Sequence, residues 1–341
     1  MVSIGLSSIR FEVSEQNVSK SGWTVLFVDA EGAGASDSND GYSWGQAKKT
    51  IGGALADAKS WCKIYIRAGT YNEDVEIPYE HIQLIGEVMD GPTAVLITTN
   101  GGTGITITGG FCEVSDLIVM AEDGHGIIAT NPGQHIHDCL ISLTNSTGLN
   151  INGIWLHDCD RCEINDNMIT GGNDAEVIGI MIGEETVDAN IHNNMISDCG
   201  DGIGGLGCVA GVCTNNGYGI GIDDDAQRAN IHDNYIIDNC VGIYLYNTLG
   251  EEYKGHTIIH NQFYENCNFD VYDQFDPDDV GNPSGILIRE NFYGYLGGWY
   301  SDFNRDGRAD YMIDCNTNKD YAPLASPRSW ETEGTPRSDR I

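Results

Sequence analysis

The chain has 341 residues, with 51 acidic against 17 basic side chains and a net charge of −34 at pH 7. That balance argues against a nucleic-acid partner, because phosphate contacts need clustered Lys and Arg. It also argues against a strongly polyanionic ligand unless cations bridge it. No apolar run approaches the roughly 18 residues of a membrane span.

The N-terminal stretch MVSIGLSSIRFEVSEQ has no basic segment followed by an apolar run, so no signal peptide is expected. Residues 1–22 are read as an arm that attaches the protein to a larger assembly. From residue 110 onward one short pattern recurs: CEVSDLIV, HIHDCLIS, CEINDNMIT, ANIHNNMIS, ANIHDNYII, TIIHNQFY and ILIRENFY. Aligned on Val114, Ile136, Ile164, Ile191, Ile231, Ile259 and Ile288, the spacings are 22, 28, 27, 40, 28 and 29 residues. A second pattern, GIWLHDC, GIMIGEE, GIGIDDD and GIYLYNT, precedes several of them.

Both patterns alternate with period two and are flanked by Gly, Asn and Asp, the signature of short strands and turns. Short strands restarted at such intervals predict one coil per repeat, stacked so that equivalent strands pair in parallel. The aliphatics then face inward, and Asn167, Asn194, Asn234 and Asn291 share one position as a stacking ladder. Eleven scattered cysteines are read mostly as buried core filler.

These repeats resemble the right-handed parallel β-helix proteins of the pectin-lyase-like superfamily, over roughly residues 23–325. The resemblance implies an all-β solenoid over residues 23–300. It also implies that FVDAEGAGASDSNDGYSWGQAKKTIGGALADA supplies a first strand and a capping helix near residues 46–59. The tail, NFYGYLGGWYSDFNRDGRADYMIDCNTNKDYAPL, resembles the closing segment of NosD-like, carbohydrate-binding and sugar-hydrolase-type β-helices. The superfamily hosts lyases, hydrolases, adhesins and viral spikes, so it fixes no function.

Within residues 301–341, the sequence SDFNRDGRAD places Asp302, Asn304, Asp306, the carbonyl of Arg308, and Asp310 at the alternating positions of a Ca²⁺ loop, with Gly307 at the turn. Ile313 stands where a bidentate Glu belongs, so a short structural Ca²⁺ loop without flanking helices is expected; a solvated acidic turn is the alternative.

In the second pattern the residues between aliphatics point outward: Trp155 and His157, Met181 and Gly183, Gly221 and Asp223, Tyr244 and Tyr246, with Asp158, Glu184 and Asp224 just beyond. Coils lie about 4.8 Å apart, so this predicts a stripe of three aromatics and a carboxylate, suited to sugar rings. Trp155, His157, Asp223, Tyr244 and Tyr246 are the candidate glycan contacts. Glu184, Asp223 and Asp224 are candidate catalytic carboxyls, since glycosidases use two such groups. An ordinary solvated sheet face is the alternative. His192, His232 and His260, each one residue after its aliphatic, with His137 further up, form a column that either binds a transition metal or is a solvated edge.

The 40-residue step holds a Gly-rich insertion with Cys208 and Cys213, where specificity is expected to reside. Taken together, the sequence suggests a virus or phage surface protein, a spike, fibre or decoration, that binds cell-surface polysaccharide and either self-associates as a homotrimer or attaches to a larger assembly. An extracellular carbohydrate-active enzyme and a cellular surface-layer module are the alternatives.

Overall fold

The computed structural model describes residues 22–87, 95–144, 150–172, 177–200, 217–246, 255–264, 266, 269–273, 287–289, 291–294 and 313–314. Within them the strands form three parallel sheets, of ten, nine and nine strands. Sheet A runs from Thr24–Val28 to Leu287–Arg289, sheet B from Gly69–Asn72 to Phe292–Gly294, and sheet C from Val75–Ile77 to Ile313–Asp314. In each sheet spatial order follows chain order, so each coil from Cys62–Ile66 onward adds one strand to each. One coil reads Glu163–Asn165 in sheet A, Met168–Thr170 in sheet B and Val177–Ile182 in sheet C, and the next opens at Asn190–His192. This is a right-handed parallel β-helix.

The repeated I-x-D-N motif explains the coil physically. Ile136, Ile164, Ile191, Ile231 and Ile258 stack in register, all 0% exposed. Two residues on, Asp138, Asp166, Asn193, Asp233 and His260 take positive φ of 52–60°, a region where Asp and Asn are the least strained of side-chain-bearing residues. The next residue points back inside. Asn167, Asn194, Asn234, Asn261 and Asn291 form a buried ladder: each Oδ1 from Asn194 onward accepts from the backbone N–H and the Nδ2 of the rung before it, at 2.9–3.1 Å. Each Nδ2 also donates to the carbonyl of an isoleucine one coil back. Polar groups that would be costly when buried alone are thereby satisfied.

Here the structure corrects the alignment of the sixth repeat. Ile258, not Ile259, is the inward residue, pairing Ile231 and Ile288, while Ile259 lies opposite His232. A one-residue slip exchanges the two faces, so Asn261 joins the ladder and His260 moves out of the histidine column into the turn.

Sheet C carries a second column, Gly126, Gly153, Gly179, Gly219 and Gly242. A Cβ on each would lie 2.4–2.6 Å from a carbonyl oxygen of the following coil, so only glycine permits this approach. That accounts for the G-I-x pattern.

A seven-residue helix, Ile51–Asp57, follows a 3₁₀ turn at Trp44–Gln46. Thr50 accepts from Gly53 N–H at its start, and Glu73 accepts from Ile51 and Gly52 N–H, which satisfies donors that a helix leaves unpaired. Ile51, Ala54 and Leu55 join the core. The 40-residue step leaves the solenoid undisturbed: Asn190–His192 pairs directly with Asn230–His232.

Candidate functional site: the outer face of sheet C

Parallel register aligns three outward columns on sheet C. One holds His125, Asn152, Ile178, Tyr218 and Val241, bordering the glycine column. The next holds Ile128, Trp155, Met181, Gly221, Tyr244 and Tyr272. The third continues from His157 through Gly183 and Asp223 to Tyr246, through backbone bonds from Gly183 to Leu156, Asp223 to Ile182 and Tyr246 to Ile222.

The expected stripe is present, and it is more aromatic than the sequence suggested. Tyr244 stacks on Tyr218 with ring centroids 4.3 Å apart, meets Tyr246 at 4.7 Å and Tyr272 at 5.1 Å. Trp155 lies between His125 and His157, at 5.4 and 5.9 Å. Its indole nitrogen lies 2.8 Å from where a Cβ of Gly183 would be, and Met181 Sδ lies 2.8 Å from a Cβ position on Gly221. The two glycines thus let neighbouring side chains lie down along the face. Sequence reasoning missed Tyr218 and Tyr272. The signal for Tyr218 was its place one before Gly219, matching His125, Asn152 and Ile178.

Asp223 is half-buried beside this cluster, and Asp224 N–H donates to its carboxylate at 2.7 Å. Burial raises the Asp223 carboxyl above the ordinary aspartate value, and the charges of Asp224 and Glu184 raise it further. Glu184 and Asp224 are exposed on the turns next to it. Burial pushes the Tyr244 and Tyr246 hydroxyls up to about 12. The His125 ring accepts from Asn152 N–H at 3.1 Å, and burial lowers its pKa below the ordinary histidine value. The Gly-rich insertion departs at Gly200 and returns at Gly217, which lie against each other, next to Tyr218.

The outer face of sheet A is different. His137, Asn165, His192 and His232 are in register. His192 and His232 stack at 4.9 Å with planes 6° apart, while their Nε2 atoms meet Glu163 at 3.2 Å and Asn190 at 3.1 Å. Burial lowers the His137 pKa, but hydrogen bonds to Asp138 and Glu113 outweigh it and raise it to about 9. On sheet B an acidic cleft of about 490 Å³ contains Glu73, Asp74 and Glu122. These carboxylates are engaged by the helix N–H groups, Thr99 and Asn100 respectively.

Among the described residues, Cys62, Cys112, Cys139, Cys199 and Cys240 are buried, in line with their reading as core filler. Cys159 and Cys162 are instead joined in a disulfide at the corner between sheets C and A, their Cα atoms 6.0 Å apart. Nothing in the sequence reading anticipated this bridge. The residues Asp302, Asn304, Asp306, Arg308 and Asp310, and Cys208 and Cys213 of the insertion, lie outside the described residues.

Three stacked parallel sheets around a single aliphatic core define a β-helix of the pectin-lyase-like superfamily. A pectate lyase, Pel9A, aligns with 90% of this chain and 82% of its own at a TM-score of 0.51 and 11% identity. The profile of the periplasmic copper-binding protein (NosD) family matches residues 63–276, and the chain belongs to that family. A GH136 lacto-N-biosidase from Eubacterium ramulus aligns at TM-score 0.46 and 12% identity over 79% of this chain; the chain spans 60% of that enzyme's length. ORF18 of Geobacillus virus E2 aligns at TM-score 0.44 and 13% identity, over 80% of this chain and 58% of its own. A search of curated proteins finds no match.

The family name implies copper, and the histidine column does not fit it. Parallel stacked imidazoles direct their nitrogen lone pairs in parallel planes, so His192 and His232 do not converge on one ion. Among the described residues no group of three His, Cys, Asp or Glu side chains is placed to hold a metal. Also among them, no helix is long and apolar enough to cross a membrane.

Proposed function

We propose that the protein binds a glycan along the outer face of sheet C. The observation that carries this reading is the contiguous cluster of Tyr218, Tyr244, Tyr246 and Tyr272, continued by Trp155, with a half-buried carboxyl at its edge. Aromatic faces accept the apolar sides of sugar rings, and carboxylates accept from hydroxyls. A rigid sheet holds these groups in place before the ligand arrives, which lowers the ordering cost of binding.

The setting we propose is an exterior surface, with a virion or phage particle as the case the sequence suggests. The Cys159–Cys162 disulfide supports an oxidising exterior, and the net charge of −34 suits a saline one. Structural Ca²⁺ in the loop at residues 302–310, and self-association, are part of the same proposal.

The test is titration of the purified protein, in Ca²⁺, against a panel of polysaccharides, with new chain ends quantified. Binding without cleavage that weakens about five- to tenfold in Trp155→Ala or Tyr244→Ala supports the reading. Cleavage that yields new reducing ends and is lost in Asp223→Asn makes the face that of a hydrolase. Absence of binding across the panel overturns it.

A further inference from the structure

The strands of sheet C, from Val75–Ile77 through Ile313–Asp314, contain no Lys or Arg. The groups described on its outer face are aromatics, Met181, Asn152, His125, whose ring nitrogen accepts from Asn152 N–H, and Asp223 with Glu184 and Asp224 on the adjoining turns. Two arginines stand at the corner between sheets C and A. Arg228 is bound to Asp188 through two hydrogen bonds of 2.7 and 2.9 Å, and the Arg161 charge acts on the same Asp188 and helps hold its carboxyl below the ordinary value.

We infer that this face selects uncharged glycans and rejects uronate-containing ones of the same sugar stereochemistry. The inference rests on the reading of the face as glycan-binding and adds its substrate class. Among the described residues, a uronate carboxylate laid along the Trp155–Tyr244 column finds no Lys or Arg on the strands beneath it to pair with. It meets the Asp223, Asp224 and Glu184 carboxyls instead. Placing like charges together while removing water from them is the repulsive half of specificity. A hydroxymethyl group at the same ring position carries no such penalty and can donate a hydrogen bond to Asp223.

The experiment compares pairs matched in linkage, β-1,4-mannan against β-1,4-polymannuronate and β-1,4-glucan against β-1,4-polyglucuronate, by affinity electrophoresis and calorimetry. The full-length protein is used in about 0.15 M salt with EDTA, so that no divalent ion bridges carboxylates. The expected result is binding of at least one neutral member, weakened by Trp155→Ala, and an affinity for its uronate counterpart at least about tenfold lower. The gap is expected to narrow in about 1 M salt, where screening shortens to roughly 3 Å, and in Asp223→Asn/Glu184→Gln. Uronate binding equal to or tighter than neutral binding in EDTA overturns the selectivity while leaving glycan binding intact. A gap insensitive to both salt and the double substitution overturns the electrostatic cause. Failure of every neutral and acidic polymer, in EDTA and in Ca²⁺ alike, overturns the glycan reading itself, and this inference with it.

Discussion

Asn266 Nδ2 donates to the Asp270 carboxylate at 2.9 Å, and Asp270 stands opposite Gly242, where the glycine column ends. The side chain is 7% exposed. Burial drives its pKa up to about 7, against a small lowering by the Asn266 bond. The folded value thus exceeds the unfolded one of about 3.9. The folded state binds the proton more tightly, so this stabilising contribution is complete below pH 4 and is lost as pH rises toward 7. Asp270→Asn keeps the shape and removes the titration. Denaturant midpoints should show the variant gaining on the parent between pH 4 and 8, by up to about 4 kcal/mol. A constant difference across that range would contradict the assignment.

The asparagine ladder is expected to be intolerant of truncation. Asn194→Ala leaves Asn167 N–H and Nδ2 without their acceptor and frees the carbonyl of Ile164. Each stranded buried group is worth about 1–3 kcal/mol. A loss of several kcal/mol in urea unfolding is expected, against less than about 0.5 kcal/mol for substituting exposed Asp224.

The Cys159–Cys162 bridge closes a very short loop, so its effect on the unfolded chain is modest, about 2 kcal/mol. Reductant or Cys159→Ser/Cys162→Ser should lower the melting temperature by a few degrees without abolishing the fold. Both sulfurs are buried, and labelling of the native protein with a thiol reagent after mild reduction should be slow.

Calcium, proposed from the spacing of Asp302, Asn304, Asp306 and Asp310, should stabilise the native chain by mass action, about 2.7 kcal/mol at a hundredfold excess over Kd. A thermal shift with Ca²⁺ that is absent with Mg²⁺ and absent in Asp306→Ala is the expected outcome. No shift with Ca²⁺ would leave the loop a solvated turn.

Much of the fold was legible because the repeat is written in side-chain type: aliphatic inside, Asp or Asn at positive φ, Asn in the ladder. The slip at Ile258–Ile259 shows where that legibility ends. Two adjacent aliphatics satisfy a period-two pattern in either register, and only the fixed distance from inward aliphatic to buried Asn, as from Ile191 to Asn194, picks Ile258. The stripe of Trp155, Tyr244 and Tyr246 followed from alternation alone. Tyr218 did not, because the backbone departs from strict alternation beside Gly219. The disulfide was hidden because pairing depends on the corner's path, with Asp158 and Arg161 both at positive φ, and spacing along the chain does not encode that path.

The ladder also has a direction. Every rung from Asn194 onward accepts through Oδ1 from the rung before it and donates through Nδ2 to an isoleucine carbonyl of that same earlier coil, so the pattern repeats in one sense along the axis. Cutting the chain between two coils uncovers backbone and Nδ2 donors with an isoleucine carbonyl on one end, and an Oδ1 acceptor with an Nδ2 donor on the other, two surfaces that are complementary to each other and not to themselves. A fragment so exposed is predisposed to stack head to tail, growing like a polar filament instead of closing into a symmetric pair.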